Sequence, residues 1–291
     1  MLMNMTDLLK VANEHNFAVP AFNIGTGMIL NAVIERCEAL QAPVILAIHP
    51  SELKFQGDNF VESVKAIANR TKIPCVIHLD HSEEKDIYRA VRDGFTSVMI
   101  DASSLPFEEN IAMTKRIVDF CRPLNVSVEG ELGTIGTTEQ SFEGGVSSTE
   151  ISYTQPEEAR TFIDRTGVDT LAIAIGTCHG IYPKGFQPNL QQELLSKIKK
   201  VVPETPLVLH GGSSNKDSEI AEACRRGINK INISSDIKDA FYQELRNTLK
   251  DPFVREPFEL YLPAIEAMNK VIDHKIELFN DDDKVKYYRL G

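Results

Sequence analysis

Short apolar runs alternate along this chain with segments in which apolar residues recur every three to four positions. The short runs predict β-strands over Ala18–Asn23, Pro43–Ile48, Pro74–Leu79, Ser97–Asp101, Ser127–Leu132, Thr170–Ile175, Pro206–Leu209 and Lys230–Ile233. These runs are nearly continuous in apolar character, which is typical of parallel strands that are buried on both faces.

The segments between the strands predict helices over Met28–Leu40, Asp58–Thr71, Glu84–Asp93, Phe107–Leu124, Pro156–Thr166, Asn189–Val201 and Ser218–Gly227. Gly94 and Gly227 stand at helix ends, where a residue that tolerates left-handed backbone is favoured. Eight strands that alternate with helices are the arrangement of an α/β fold of the (β/α)8 or TIM-barrel type. No linker or change in composition divides the chain, so we predict a single domain over residues 1–291.

Two regions depart from this alternation. Residues Thr134–Tyr153 are rich in Gly, Ser and Thr and lack strong apolar periodicity, which is typical of a functional or mobile loop. Beyond Ser234, helical periodicity continues over Asp236–Leu249 and Glu259–Phe279. We therefore predict a C-terminal helical extension over about residues 236–280, packed on the barrel or on a neighbouring subunit, and a polar tail over 281–291.

Length, charge and cysteine content limit the partners and the cellular compartment that we expect for this domain. The chain has 291 residues, a length typical of one α/β barrel, and a net charge of −11, which argues against nucleic acid or an anionic membrane as the main partner. No stretch approaches the length of a membrane span, and the N-terminus predicts an amphipathic helix rather than a secretory signal. The five cysteines show no framework spacing, so we expect reduced thiols in a cytoplasmic protein. Cys178 directly precedes the candidate site residue His179, but we favour the interpretation that Cys178 is a small buried residue without a chemical role.

Three histidines follow three of the predicted strands. His81, His179 and His210 stand in the strings CVIHLDH, LAIAIGTCHG and PLVLHGGSS. In a parallel barrel the carboxyl ends of the strands meet on one face, so the three imidazoles would converge. Three protein ligands with an open fourth position are what a catalytic zinc requires. One histidine alone would more often be a structural hydrogen-bonding residue, whereas three in this arrangement favour a metal site.

Other polar residues stand at the same predicted strand ends. They are Asn23, His49, Asp80, Asp101 with Ser103, Glu131 and Asn232. Asp80 precedes His81 directly, where a carboxylate could transfer a proton beside a metal-bound substrate or could instead orient the histidine. Zinc at this site would polarise a substrate carbonyl and stabilise an enediolate.

Small-residue turns after the last three strands favour phosphate binding. These turns contain Gly180, Gly211-Gly212-Ser213-Ser214 and Asn232-Ile233-Ser234-Ser235-Asp236. Barrels commonly bind phosphate with the loops after strands seven and eight, through backbone amides and hydroxyl groups. The same residues would also suit tight turns with a Ser or Asp helix cap, and the sequence leaves both interpretations open.

Taken together, these residues resemble the class II, zinc-dependent ketose-bisphosphate aldolases, with the tagatose-bisphosphate type as the nearest branch. The matching strings run in family order over nearly the whole chain and are AVPAFN, HLDH, SVMIDAS, FEENI, VEGELG, YTQPEEA, LAIAIGTCHG, PLVLHGGS and INKINIS.

The resemblance implies aldol cleavage or condensation with dihydroxyacetone phosphate as the ketone half. It implies that His81, His179 and His210 are the zinc ligands and that Asp80 is the acid/base, with Asp101 and Glu131 near the metal. Binding of dihydroxyacetone phosphate is implied for Asn23, Gly180, Gly211, Gly212, Ser213, Asn232, Ser234 and Ser235. Members of the family also use sodium or potassium near the phosphate, place a proton-transferring glutamate near Glu139, and form dimers or tetramers.

Three departures from the family pattern concern the substrate. Where relatives follow the second strand with a small turn, this chain has Ile48-His49-Pro50-Ser51, and it has Ser214 in place of a usual glycine. Relatives that act on bisphosphates have an arginine for the distal phosphate where this chain has Asn269, and neighbouring Lys270 is not equivalent to a bidentate guanidinium. We therefore expect an aldehyde partner other than glyceraldehyde 3-phosphate, and the sequence leaves open whether that aldehyde has a phosphate.

Two other functions remain open from the sequence. One is a catalytically idle subunit that supports another protein by contact, against which the intact Asp80 and three histidines argue. The other is a zinc-dependent sugar-phosphate isomerase or epimerase, which would need the same polarised carbonyl.

Overall fold

Eight parallel strands form a closed barrel at the centre of the chain. The computed structural model describes residues 1–137, 146–147, 152–182 and 189–288, and the side chains of 137, 146 and 147 are not described. Three further strands form a separate small sheet. In chain order the strands described are β1 (Val19–Asn23), β2 (Val44–Ile48), β3 (Cys75–Ser82), β4 (Ser97–Ile100), β5 (Ser127–Leu132), β6 (Gly136–Thr137), β7 (Val146–Ser147), β8 (Thr170–Ile173), β9 (Cys178–His179), β10 (Leu207–Leu209) and β11 (Ile228–Ile233). The small sheet consists of β6, β7 and β9. Around the barrel the order is β1-β11-β10-β8-β5-β4-β3-β2, and every pair is parallel.

Helices connect the barrel strands. They are α1 (Met5–His15), α2 (Gly27–Ala39), α3 (Pro50–Gln56), α4 (Asp58–Arg70), α5 (Glu84–Asp93), α6 (Phe107–Cys121), α7 (Pro156–Thr166), α8 (Gln192–Val201), α9 (Asp217–Arg225), α10 (Ser235–Thr248) and α11 (Pro257–Leu278). The predicted TIM barrel with additional C-terminal helices is therefore confirmed. None of the helices described is long and apolar enough to cross a membrane.

The two ends of the barrel differ in chemistry. At the amino ends of the strands, α1 closes the barrel with Met5, Leu8, Leu9 and Ala12, which pack with residues that include Val19, Ala21, Ile45, Ala47 and Val76. Burial of these apolar side chains fills this end of the barrel. The candidate site residues lie toward the opposite, carboxyl ends of the strands.

Three local features differ from the sequence predictions. The turn after β2 folds into α3, a seven-residue helix that begins at Pro50 and has a capping box between His49 and Glu52. The predicted strand Thr170–Ile175 ends at Ile173, and His179 lies six residues further on, in β9. β9 pairs with β6, and β6 pairs with β7, so part of the predicted loop Thr134–Tyr153 forms a small parallel sheet.

The C-terminal tail packs on the barrel. The segment after α11 is polar in composition, but Asp281, Val285 and Tyr288 are buried. The Tyr288 hydroxyl donates to the Leu8 carbonyl oxygen at 2.9 Å, and its ring packs with the cluster around α1. The described part of the tail therefore returns to the amino end of the barrel, where the Tyr288 ring is buried and its hydroxyl group has a partner.

Candidate active site

A bulge near the end of β3 brings Asp80 and His81 to the same end of the barrel. Neighbouring residues in a regular strand point to opposite faces, but the pairing of β3 with β4 shifts register between Leu79 and Ser82. His81 has a φ of +38°, in the left-handed region that L residues with side chains rarely adopt. The strained backbone conformation at His81 allows two consecutive polar side chains to lie in the same site.

The three predicted histidines converge. One ring nitrogen from each of His81, His179 and His210 lies within 4.8 Å of the others. The His81 ring centroid is 4.8 Å from that of His179 and 4.4 Å from that of His210. All three side chains are almost fully buried. The sequence prediction that these residues form one cluster is thus met by the geometry.

Hydrogen bonds orient two of these rings. His81 Nδ1 donates to Asp101 Oδ2 at 3.3 Å, and His210 Nε2 donates to Glu129 Oε1 at 2.7 Å. Each bond leaves the other ring nitrogen, His81 Nε2 and His210 Nδ1, buried and without a hydrogen-bond partner among the described residues. A carboxylate that holds one nitrogen of a histidine while the other faces a metal is the usual arrangement around bound zinc.

Carboxylates surround the histidines. Glu131 Oε2 is 3.4 Å from His210 Nδ1 and 4.0 Å from His81 Nδ1, and burial raises the pKa of Glu131, with the charge of Asp101 adding to the effect. Burial lowers the pKa of His81, but the charges of Asp80, Asp101 and Glu131 outweigh it and raise that pKa to about 10. The negative surroundings therefore stabilise positive charge at this point.

These residues fit a divalent transition metal. Three imidazoles supply the nitrogen ligands that zinc prefers, and His81 Nε2 is buried without a hydrogen-bond partner among the described residues, which is costly unless a ligand pairs with it. His81, Asp101 and Glu131 form a second group of candidate ligands with donor atoms equally close together. A cation in the centre would replace the proton that the carboxylates otherwise stabilise on His81.

Two asparagines hold Asp80. Asn23 Nδ2 donates to Asp80 Oδ2 at 3.1 Å, and Asn232 Nδ2 donates to Asp80 Oδ1 at 2.9 Å. Burial would raise the pKa of Asp80, but the charges of His81 and Lys230 outweigh it and hold that pKa well below its usual range. Asp80 is therefore an ionised carboxylate in a fixed orientation, with one amide on each oxygen.

The glycines after β10 have a structural reason to be glycine. A Cβ at Gly211 would lie 2.5 Å from the Cys178 carbonyl oxygen, and Gly211 has a φ of +62°. At Gly212 a Cβ would lie 2.4 Å from Ile231 Cγ2. These contacts require glycine whether or not a phosphate binds, so they explain part of the pattern that the sequence analysis attributed to phosphate binding.

The two loops that were predicted to bind phosphate are joined to each other. The Asp236 carboxylate accepts a hydrogen bond from the Ser214 amide at 3.0 Å, and the Asp236 amide donates to Ser213 Oγ at 3.3 Å. Lys275 on α11 pairs with Asp236 at 2.7 Å, which links the C-terminal helices to the site. Ser214 has a φ of +61°, the conformation that explains the glycine of relatives at this position.

Ser234 and Ser235 lie at the start of α10. Ser234 is its N-cap residue and makes no side-chain capping hydrogen bond, whereas Ser213 Oγ accepts one from the Asp236 amide in the first turn. α10 begins just after β11 ends, and free backbone amides at a helix N-terminus are suited to an anion. Gly180, with a φ of +96°, directly follows His179.

The remaining sequence candidates are Glu139, Asn269 with Lys270, and Cys178. Glu139 lies outside the described residues. Asn269 lies on α11, which packs on α2 and α10, and Lys270 is exposed. Cys178 is buried and its thiol pKa is raised by burial, as expected for a small packed residue rather than a nucleophile.

A buried ion pair that the sequence analysis missed lies below the histidines. Lys230 Nζ donates to Glu129 Oε2 at 2.8 Å and to Oε1 at 3.0 Å, and both side chains are fully buried. His78 Nε2 is 3.7 Å from Glu129 Oε2, and burial together with the charge of Lys230 lowers the pKa of His78 to about 3. The network therefore contains a neutral His78 and, beside His210, the ion pair of Lys230 and Glu129, in which the two charges balance.

The Glu129→Gln substitution is expected to weaken zinc binding about 10- to 100-fold. The change removes the negative charge to which His210 Nε2 donates. The ring is then held less firmly, and its other nitrogen, Nδ1, becomes a weaker electron donor to a metal. Zinc affinity would be measured by competition with a chromophoric chelator, together with the thermal midpoint of the metal-free protein.

A double variant separates orientation from simple loss of stability in this experiment. Glu129→Gln alone leaves Lys230 buried without a counter-charge, whereas Glu129→Gln with Lys230→Met removes both charges. If the double variant regains stability but still binds zinc weakly, the carboxylate acts on His210. Wild-type zinc affinity in Glu129→Gln would contradict this role.

Known proteins share the sequence pattern and the fold of this chain. The sequence profile of the family described as fructose-bisphosphate aldolase class-II matches residues 3–284. The crystal structure of the YdjI aldolase from Escherichia coli K12 is 32% identical in sequence, covers 98% of this chain and 100% of its own, and superposes with a TM-score of 0.85. The fructose-bisphosphate aldolase from Campylobacter jejuni is 24% identical with 97% of each chain covered and a TM-score of 0.81, and it supports the fold alone.

Proposed function

Because this chain belongs to the class II fructose-bisphosphate aldolase family, we propose that it is a zinc-dependent aldolase that reversibly cleaves a ketose phosphate into dihydroxyacetone phosphate and an aldehyde. The convergence of His81, His179 and His210 beside an ionised Asp80 is the observation that supports this best. The family relationship alone would not distinguish an active enzyme from a relative that has lost its site.

Each residue of the site has a role in this proposal. Zinc, when bound by the three histidines, would polarise the ketone carbonyl and stabilise the negative charge that develops beside it. Asp80 accepts the proton of the substrate hydroxyl that becomes the aldehyde oxygen as the carbon–carbon bond breaks, and it returns that proton in condensation. Its low pKa keeps it in the basic form that cleavage requires, and Asn23 and Asn232 fix the direction of its lone pairs.

The phosphate of dihydroxyacetone phosphate is assigned to the loops after β10 and β11. Ser213 and Ser234 are buried there and Ser235 is half-buried, beside the first turn of α10. Backbone amides at a helix N-terminus and nearby hydroxyl groups are well suited to a phosphate dianion. A phosphate at this point would anchor the ketone half with its carbonyl toward the histidines.

For the aldehyde half, we infer a substrate without a phosphate. Asn269 occupies the position where bisphosphate enzymes of the family have an arginine, and a neutral amide cannot replace a bidentate guanidinium. The proposed aldehyde is therefore a short, uncharged hydroxyaldehyde rather than glyceraldehyde 3-phosphate.

An aldehyde panel tests this function. Zinc-loaded protein would be incubated with dihydroxyacetone phosphate and either glyceraldehyde 3-phosphate or unphosphorylated aldehydes of three to five carbons, and new ketose phosphates would be detected by mass spectrometry. We expect condensation products with unphosphorylated aldehydes. Efficient turnover of fructose or tagatose bisphosphate would contradict the inferred aldehyde, and interconversion of ketoses without fragments would favour the isomerase or epimerase alternative.

We also propose a cytoplasmic homodimer or homotetramer. The C-terminal helices expose Leu249, Phe253, Phe258 and Leu262, each more than half accessible, and exposed apolar groups concentrated in one region are typical of an interface. The five cysteines are free and buried, which suits a reducing compartment. Sedimentation equilibrium would test the assembly, and a mass of one protomer would contradict it.

A further inference from the structure

A lysine lies over the N-terminus of α10, where a cation is unexpected. Lys238 Nζ donates to Ser234 Oγ at 3.0 Å, because a side chain on the first turn of a helix leans back toward its N-terminus. The N-terminus of a helix has partial positive charge, so an ammonium group at this point is unfavourable unless an anion lies beside it.

The anion beside Lys238 is Glu52, from the helix that follows β2. Glu52 Oε1 lies 2.6 Å from Lys238 Nζ, and Glu52 Oε2 accepts a hydrogen bond from the His49 amide at 3.0 Å. Gly25 makes room for this carboxylate, since a Cβ at that position would lie 2.6 Å from Glu52 Oε1. Gln56 Nε2 also donates to the Gly25 carbonyl oxygen at 2.8 Å. The ion pair therefore joins α3 to α10 across the β1–α2 loop.

This ion pair is accessible enough to be broken by a competing anion. The side chain of Lys238 is 31% exposed and that of Glu52 is 14% exposed. Partly exposed ion pairs contribute little to stability. A phosphate dianion has more charge and more acceptor atoms than a carboxylate, and at this position it would gain from the helix amides as well as from the ammonium group.

We propose that Lys238 is a cationic side chain of the phosphate subsite and that Glu52 binds it when no phosphate is present. This inference rests on the proposed function, which assigns the substrate phosphate to the same end of α10. Binding of the phosphate transfers Lys238 from Glu52 to the substrate, and Glu52 keeps its hydrogen bond with the His49 amide.

The transfer of Lys238 from Glu52 to the phosphate affects the segment after β2, where the sequence of this chain departs from that of its relatives. His49 and Ser51 begin α3 and lie directly after β2, where relatives have a small turn. Release of Glu52 from Lys238 removes the ion pair between α3 and α10. Phosphate occupancy thus changes the restraints on a loop at the mouth of the barrel, which suits binding of the phosphorylated ketone before the aldehyde.

Titration calorimetry with glycerol 3-phosphate tests the proposal, since this probe has the phosphate but no ketone. We expect Lys238→Met to weaken binding about tenfold or more, as for loss of a charge-assisted contact, and Glu52→Gln to tighten it about threefold. In the Lys238→Met background, Glu52→Gln should change the affinity less than about twofold, because Glu52 acts through Lys238. Lys238→Arg should bind within about threefold of wild type, and Lys197→Met, an exposed lysine on α8, should leave the affinity unchanged.

The outcomes separate this inference from the proposed function. Wild-type affinity in Lys238→Met, with an unchanged thermal midpoint, would overturn the role of Lys238 and leave the aldolase proposal intact. Equal tightening by Glu52→Gln in both backgrounds would overturn the role of Glu52, because the carboxylate would then repel the phosphate without Lys238. Absence of binding to the wild-type protein at millimolar probe would remove the phosphate subsite itself, and the proposed function with it.

Discussion

Removal of zinc is expected to stop the exchange of the C3 proton of dihydroxyacetone phosphate with deuterated water, and added zinc is expected to restore it. This half-reaction needs no aldehyde, so the result does not depend on which aldehyde the protein uses. A metal that polarises a carbonyl supplies several kcal/mol of stabilisation to the developing charge, which corresponds to a loss of about a thousandfold or more on chelation. Proton NMR with and without a chelator would measure the rate.

Two histidine variants distinguish the metal site from general effects of mutation. His179→Ala removes a buried member of the cluster and should lower the exchange rate as far as chelation does. His274→Ala removes a half-exposed histidine that pairs with Asp217 on the outer helices, and it should leave the rate unchanged. If folded, zinc-loaded protein gave no exchange, the ketone assignment would fail, and a different ketone or a catalytically idle subunit would be favoured.

The barrel could be predicted from the sequence because its strands are buried on both faces. Continuous apolar runs such as Val44–Ile48 and Leu207–Leu209 leave little ambiguity about strand or helix, and the helices between them have clear periodicity. The position of the histidines followed from topology alone, since parallel strands bring their carboxyl ends together. His179 is the exception in detail, because it lies on the small sheet formed by β6, β7 and β9 rather than at the end of a barrel strand.

The layer below the site was missed although the sequence contains a signal for it. His78, Glu129 and Lys230 each stand two positions before a predicted site residue, namely Asp80, Glu131 and Asn232. Side chains two apart in a strand share a face, so each pair points into the barrel. A polar residue at such a position in an apolar run therefore indicates a buried partner for the site above it.

Other features depend on contacts that no local pattern reveals. The bulge at Asp80 and His81 arises from the register between β3 and β4 and has no turn residue to mark it. α3 and its link to Lys238 depend on the space beside Gly25, which is 27 positions away in the chain from Glu52. Gly211 and Gly212 show the converse, because a pattern that suggested a ligand is explained in large part by close backbone packing.

The Asp80→Asn substitution is expected to lower kcat for ketose cleavage about 10²- to 10⁴-fold, the usual contribution of a positioned acid/base. Asparagine keeps the size of the side chain, but it removes the charge and places an amide against one of the two asparagine donors. Zinc content should remain that of wild type, because Asp80 bonds to Asn23 and Asn232 rather than being one of the three clustered histidines. Coupled assay of released dihydroxyacetone phosphate would give kcat, and elemental analysis would give the zinc content.

The rate of proton exchange at C3 of dihydroxyacetone phosphate distinguishes two roles of Asp80: transfer of the hydroxyl proton at the aldehyde oxygen, or transfer of the C3 proton of the ketone half. If Asp80 serves the hydroxyl that becomes the aldehyde oxygen, exchange at C3 in Asp80→Asn should stay within about tenfold of wild type while cleavage falls at least a hundredfold. Asp164→Asn, on the exposed face of α7, is the matched control and should change neither rate. Equal losses in both reactions, with full zinc content, would show that Asp80 acts on the ketone half instead, and the proton at the aldehyde oxygen would then need a group outside the cluster formed by Asp80 and the three histidines.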